Sequence, residues 1–105
     1  MNKPVRAEPE ADEELRAAAR WYERRRPGLG REFLAAIGAA VELIQRHPVG
    51  GSRVPKVKRA LPARRLILRR FPYAVVFLDL EAEIRILAFA HHRRGPGYWL
   101  RRLRS

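Results

Sequence analysis

The sequence predicts an α+β fold: an N-terminal antiparallel helix hairpin packed on a small antiparallel sheet of three to four strands, closed by a short C-terminal helical segment. Two patterns carry the prediction. Apolar residues recur at helical spacing through residues 9–46, after which short apolar runs alternate with charged and turn residues. Length and composition agree, since 105 residues with 47% hydrophobic content and 9% aromatic content suffice for the core of one domain spanning residues 1–105.

The first helix is expected from about Pro9 to Arg25. Pro9 suits the first helical position, Glu10, Asp12, Glu13 and Glu14 favour the positive N-terminal end, and Arg20, Arg24, Arg25 and Arg26 favour the negative C-terminal end. Ala11, Leu15, Ala18 and Tyr22 form its apolar stripe. Pro27-Gly28-Leu29-Gly30 breaks the chain. The second helix, from about Arg31 to Arg46, carries Phe33, Ile37, Ala40, Val41 and Ile44 on one face and is closed by Pro48-Val49-Gly50-Gly51. So short a break folds the two helices back on each other.

Beyond residue 52 the period changes. Val54–Lys58 reads as a basic connector, and strands are expected over 65–71, 74–80 and 84–90, with the nearly all-apolar middle run central in the sheet. Glu81-Ala82-Glu83 is short enough for a hairpin. A strand near Lys3–Ala7 is weakly indicated, and Tyr98–Leu103 is a brief terminal helix.

Charge is the dominant compositional feature, with 23 Lys and Arg against 11 Asp and Glu giving a net +12. Residues 1–42 hold as many acids as bases, so residues 43–105 carry the whole excess. Such an excess points to a polyanionic partner. With no cysteine, disulfides, thiolate metal sites and cysteine nucleophiles are excluded. No metal or cofactor site is expected: there are three histidines, and His47 lies far along the chain from the adjacent pair His91-His92. The opening residues lack the apolar core of a signal peptide, and no apolar run is long enough to span a bilayer. The expectation is a cytoplasmic chain with no membrane partner.

The stretch richest in chemistry is His91-His92-Arg93-Arg94-Gly95-Pro96-Gly97-Tyr98-Trp99-Leu100-Arg101-Arg102, placed where the last strand ends. It offers two imidazoles that titrate near neutrality, guanidinium forks suited to phosphate or carboxylate, and two aromatics with polar handles. Trp99 and Tyr98 can equally pin the terminal segment onto the sheet. Glu23 and Glu32, on either side of the helix break, read as surface partners for nearby arginines rather than as an acid–base pair. Any hydrolytic chemistry would have to use Arg, His and Tyr, a set able to stabilise transesterification of RNA by its own 2′-hydroxyl.

Four pieces of sequence, taken in their order and spacing, complete the reading. They are Glu14-Leu15-x-Ala17-Ala18-x3-Trp21-Tyr22-Glu23, Gly28-Leu29-Gly30-x2-Phe33, Arg70-Phe71-Pro72-Tyr73-x-Val75-Val76-Phe77, and His91-x2-Arg94-x-Pro96-x-Tyr98-Trp99-x2-Arg102. Together they resemble the RelE/ParE toxins of bacterial type II toxin–antitoxin systems. The resemblance implies an acidic antitoxin partner that neutralises the toxin and, with it, represses the shared operon, so that operator DNA is met only through the antitoxin.

It also implies one of two activities. RelE-like members cleave mRNA on the ribosome, and ParE-like members poison DNA gyrase. In the nuclease reading Arg65, His91, His92, Arg94 and Tyr98 are the catalytic candidates. Aligned on Pro72-Tyr73 and Tyr98, however, the chain has Ile67 and Ala74 where RelE-like members carry basic residues, and aliphatic side chains cannot meet phosphate electrostatically. Lys56 and Lys58 lie too early for that register. Trp21-Tyr22-Glu23 and Tyr98-Trp99-x2-Arg102 are closer to the ParE-like pattern. The favoured expectation is therefore a non-enzymatic gyrase poison that contacts its target through His91, Arg94, Tyr98, Trp99 and Arg102, with the ribosome-dependent endoribonuclease, acting on ribosome and mRNA, as the alternative.

Overall fold

A computed structural model describes residues 3–48, 52–54, 63–95 and 97–104. A short strand β1 (Val5–Ala7) leads into helices α1 (Pro9–Arg25) and α2 (Leu29–Arg46), followed by β2 (Ser52–Arg53), β3 (Ala63–Ile67), β4 (Tyr73–Asp79), β5 (Ile84–His91) and a terminal 3-10 helix (Leu100–Arg104). The expected α+β class holds, with the helix hairpin on one face of the sheet.

The sheet itself corrects the expectation of three to four antiparallel strands. Among the described residues it has five strands in the order β1-β5-β4-β3-β2, and it is mixed because β1 runs parallel to β5. The weakly indicated N-terminal strand is thus real but only three residues long, and β2 is shorter still. The bounds of β3 differ at both ends: it begins at Ala63, before the expected Arg65. β3 stops at Ile67 instead of running to Phe71, because residues 68–72 bend so that Phe71 can turn into the helix side of the core. The basic connector with Lys56 and Lys58 lies outside the described residues.

The α1–α2 turn is built by two glycines and one carboxylate. Gly28 sits at φ 90, in the left-handed region that a side chain disfavours. Gly30 is buried at the helix crossing, where an added Cβ would lie 2.6 Å from the Ala19 carbonyl oxygen. Glu23, at the end of α1, accepts the Gly28 N–H at 2.9 Å and the Gly30 N–H at 3.0 Å, satisfying the opening amides of α2. Those bonds hold its carboxyl below the usual carboxylate range. Glu23 therefore serves backbone amides rather than the arginine expected of it. Glu32 does pair with arginines, Arg26 at 3.2 Å and Arg70.

Both faces of the sheet are covered. On one side Ala11, Ala18 and Tyr22 of α1 with Phe33, Ile37, Ala40 and Ile44 of α2 pack on Val75, Phe77, Ile84, Ile86 and Phe89. On the other, Val76, Leu78, Leu87 and Ala88 pack under Trp99 of the terminal segment. β4 alternates between the two clusters, which is why its sequence is apolar throughout and why it lies at the centre. A bulge in β5 sends two successive residues to the same side. Val76 pairs with Ala88 and Phe77 with Ile86, so Leu87 is the extra residue and joins Ala88 beneath Trp99.

Candidate functional site

β5 delivers His91 to the sheet's end, a turn carries His92–Gly95 outward, and Gly97 at φ 88 redirects the chain so that Tyr98 and Trp99 return over the sheet. Trp99 is 1% exposed and anchors this return. Of the five residues expected to contact a target, Trp99 is thus an internal anchor.

The return is fastened by Glu14, from the middle of α1. Its carboxylate accepts the Tyr98 hydroxyl at 2.6 Å and the Phe89 N–H at 3.1 Å, and it takes both Nη atoms of Arg102, at 2.9 and 3.1 Å. Arg102 Nη1 also donates to the Leu87 carbonyl at 2.8 Å. The physical reason lies in the sheet edge. β1 pairs with β5 only as far as Ile86, so beyond that point β5 has no neighbouring strand on that side among the described residues. The Glu14–Arg102 pair bonds both Phe89 N–H and Leu87 C=O, doing for the backbone what a longer β1 would do. Arg102, another expected contact, is 10% exposed in its side chain and is occupied in this way.

Arg94 stands differently. Its guanidinium stacks over the Tyr98 ring at 3.7 Å, lies 3.6 Å from Glu14 Oε2, and leaves its side chain 52% exposed. Because Arg102 already matches the Glu14 charge at closer range, Arg94 is a half-free cation mounted on an aromatic face.

Tyr98, Arg94 and His91 all border an open groove of about 710 Å³ between α1 and the ends of β4 and β5. Its floor and walls are largely aromatic, with Trp21, Tyr22, Tyr73 and Phe89, and Glu14, Ala17, Ala18 and Pro72 complete it. Tyr22 and Tyr73 of this wall join Phe33 and Phe71 in one aromatic cluster, with ring centroids 5.0–6.3 Å apart, tilted between Tyr22 and Phe33 and edge-to-face in the other pairs. Trp21 is 45% exposed at the lip, edge-on to Tyr22 and covered on one side by the Arg25 guanidinium at 4.3 Å. His91 packs edge-on to Tyr73 at 5.1 Å, and its Nδ1 accepts the Arg93 N–H at 3.0 Å. Burial, with the neighbouring Arg93 and His92, pushes the His91 imidazole below its ordinary value, so it is neutral near pH 7.

Across the same segment, on the opposite face of the sheet, lies a smaller hollow of about 110 Å³. Arg65, His91, His92, Arg94 and Tyr98, the whole candidate catalytic set, border it, together with Ala74 and Trp99. The buried Nε of Arg65 has no hydrogen-bond partner among the described residues. Ile67 follows Arg65 on this face and pairs in register with Ala74, so the two aliphatic replacements sit side by side next to Arg65. Tyr98 is ill suited to accept a proton: burial, then its bond to Glu14, raises its phenol well above the ordinary value. Among the described residues no group of three or more His, Asp or Glu side chains is gathered that could hold a metal ion, and no helix is long and apolar enough to cross a membrane.

Glu14 is the site residue that residue-by-residue reading of the sequence missed. The available signal was a carboxylate placed beside the apolar stripe Ala11–Leu15–Ala18–Tyr22, where only an internal partner would keep it.

Residues 5–96 match the family described as ParE toxin of type II toxin-antitoxin system, parDE. The chain belongs to the ParE toxin family. A chain solved as part of the chromosomal ParDE TA system from P. aeruginosa shares the ParE-family fold seen here, with a TM-score of 0.71 at 22% identity over 85% of this chain and 95% of that one. No curated protein matches the sequence. Family membership makes sense of the four sequence pieces as one structure. Glu23 with Gly28 and Gly30 forms the hairpin turn, Tyr22 with Phe33, Phe71 and Tyr73 forms the aromatic cluster, and Glu14 with Tyr98 and Arg102 fastens the terminal segment.

Proposed function

We propose that this ParE-family chain is the toxin of a type II toxin–antitoxin pair, that it poisons DNA gyrase by binding rather than by catalysis, and that an acidic antitoxin neutralises it in the cytoplasm. The observation that carries the target surface is the convergence of His91, Arg94 and Tyr98 with exposed Trp21 on one open aromatic groove. An exposed tryptophan beside a half-free arginine is the composition of a protein-binding hot spot, with the aromatic as anchor and the guanidinium as a fork for carboxylate or phosphate. Trp99 and Arg102 support that surface from within. The net +12 charge suits both an acidic antitoxin and a DNA-handling enzyme.

Supercoiling of relaxed plasmid by purified gyrase tests the reading. Micromolar protein should inhibit supercoiling, and prior mixing with the acidic product of the neighbouring small open reading frame should restore it. Full supercoiling at that concentration removes the gyrase assignment.

A second reading, ribosome-dependent mRNA cleavage, is supported by the hollow that Arg65, His91, His92, Arg94 and Tyr98 share and by the unpartnered Nε of Arg65. Ile67 and Ala74 beside Arg65, and a Tyr98 hydroxyl committed to Glu14, weigh against it. Codon-periodic cuts after induction, lost in Arg65→Ala, would establish it in place of gyrase poisoning.

A further inference from the structure

We propose that Glu14 is a positioning residue for the target surface: through Tyr98 and Arg102 it holds the terminal segment on the sheet and so presents Arg94 at the lip of the aromatic groove. The proposal rests on the reading that this groove meets the target.

Three observations carry it. First, Glu14 does no evident work for its own helix. It lies beyond the first turn of α1, where a carboxylate gains little from the helix dipole, and it is absent from both apolar clusters. Second, its bonds are made to distant chain, Phe89, Tyr98 and Arg102, and all its close donors belong to β5 or the terminal segment. A carboxylate whose side chain is only 15% exposed needs such donors to replace the water it has lost. Third, the ring that Glu14 fixes by the Tyr98 hydroxyl is the ring on which Arg94 lies at 3.7 Å. Rotation of Tyr98 would carry the Arg94 guanidinium with it or leave it unsupported. The chain of influence is Glu14 to Tyr98 to Arg94, while Arg102 keeps the remainder of the segment seated.

Glu14→Gln keeps the size of the side chain and removes its charge, and Arg16→Ala, exposed on the same helix, is the control. Hydrogen exchange on the chain alone should show about tenfold faster exchange at the Phe89, Leu100 and Arg102 amides in Glu14→Gln, with the amides of α2 and β4 unchanged. Gyrase inhibition should need about tenfold more of the Glu14→Gln protein and the wild-type amount of Arg16→Ala. Glu14→Gln combined with Arg94→Ala should be no weaker than Arg94→Ala alone, since a residue acting through Arg94 has nothing left to position. Unchanged exchange at those amides, faster exchange spread evenly over the sheet, or additive losses in the double variant would each overturn the proposal. Failure of the wild-type chain to inhibit gyrase would instead remove the target assignment, while the exchange result would still decide what Glu14 holds.

Discussion

Glu14 and Glu23 lie on one helix and meet opposite needs. Glu23 is exposed and serves the amides that open α2, whereas Glu14 is half-buried and serves a strand edge and a distant segment. The first gives a pH prediction whose sign follows from its depressed value. Below the usual 4.5 the unfolded chain takes up this proton before the folded one, so the stability Glu23 lends is complete above that pH and is lost as pH falls through its lowered value. Glu23→Gln should melt below the wild type at pH 7, and the gap should shrink by pH 3. An equal gap at both pH values would show that the charge is not what matters. Gly30 supplies a steric test. A methyl group there meets the backbone oxygen of Ala19, which no side-chain rotation can relieve, so Gly30→Ala should cost about 1–3 kcal/mol in denaturant unfolding. Phe33, 0% exposed amid Tyr22, Phe71 and Tyr73, is the largest fully buried side chain of α1 and α2. Phe33→Ala should cost about 3–5 kcal/mol in the same measurement.

At the scale of elements, legibility followed the length of the pattern. α1 and α2 each repeat an apolar stripe over several turns, and their observed ends fall within two residues of the expected ones. β4 and β5 were legible as apolar runs joined by a tight Glu81–Glu83 turn. β1 was nearly invisible because three residues carry no periodicity, and its parallel partner lies far along the chain. The end of β3 was misplaced because Leu68 and Phe71 remain apolar after the strand stops, each packing on the helix-side core from a bend. The candidate site was legible as a list of residues but not as an arrangement. Nothing local in Tyr98-Trp99-x2-Arg102 says that Trp99 and Arg102 turn inward while Arg94 stays out, since that depends on the edge of β5 left open where β1 ends. Trp99 should therefore behave as a structural residue. Trp99→Ala should cost about 3–5 kcal/mol and expose the β5 side that carries Leu87 and Ala88, whereas Trp99→Phe should keep most of the stability. A Trp99→Ala protein of wild-type stability would place that ring in the target surface instead.

Over the whole molecule, the segregated charge finds its explanation in the way the two halves meet. Acids of the neutral first half reach bases of the basic second half: Glu8 faces Arg85, Glu14 holds Arg102, and Glu32 holds Arg70. Lys3 and Arg6 return the exchange with Asp79 and Glu83. These pairs tie the first half of the chain to the second and leave the net charge untouched, so most of the basic excess stays unneutralised, with Arg94 held only loosely by Glu14 at 3.6 Å. The aromatic groove beside it gives that charge a place to act. Gyrase-mediated cleavage of plasmid DNA, titrated with wild-type chain, Trp21→Ala and Arg94→Ala after their melting temperatures have been matched to the wild type, tests this most directly. Linear DNA should accumulate with the wild type, and each variant should need roughly tenfold or more protein for the same yield, as expected for loss of a hot-spot anchor. No linear DNA with the wild type, or variants as potent as it, would contradict a gyrase poison that works through this groove.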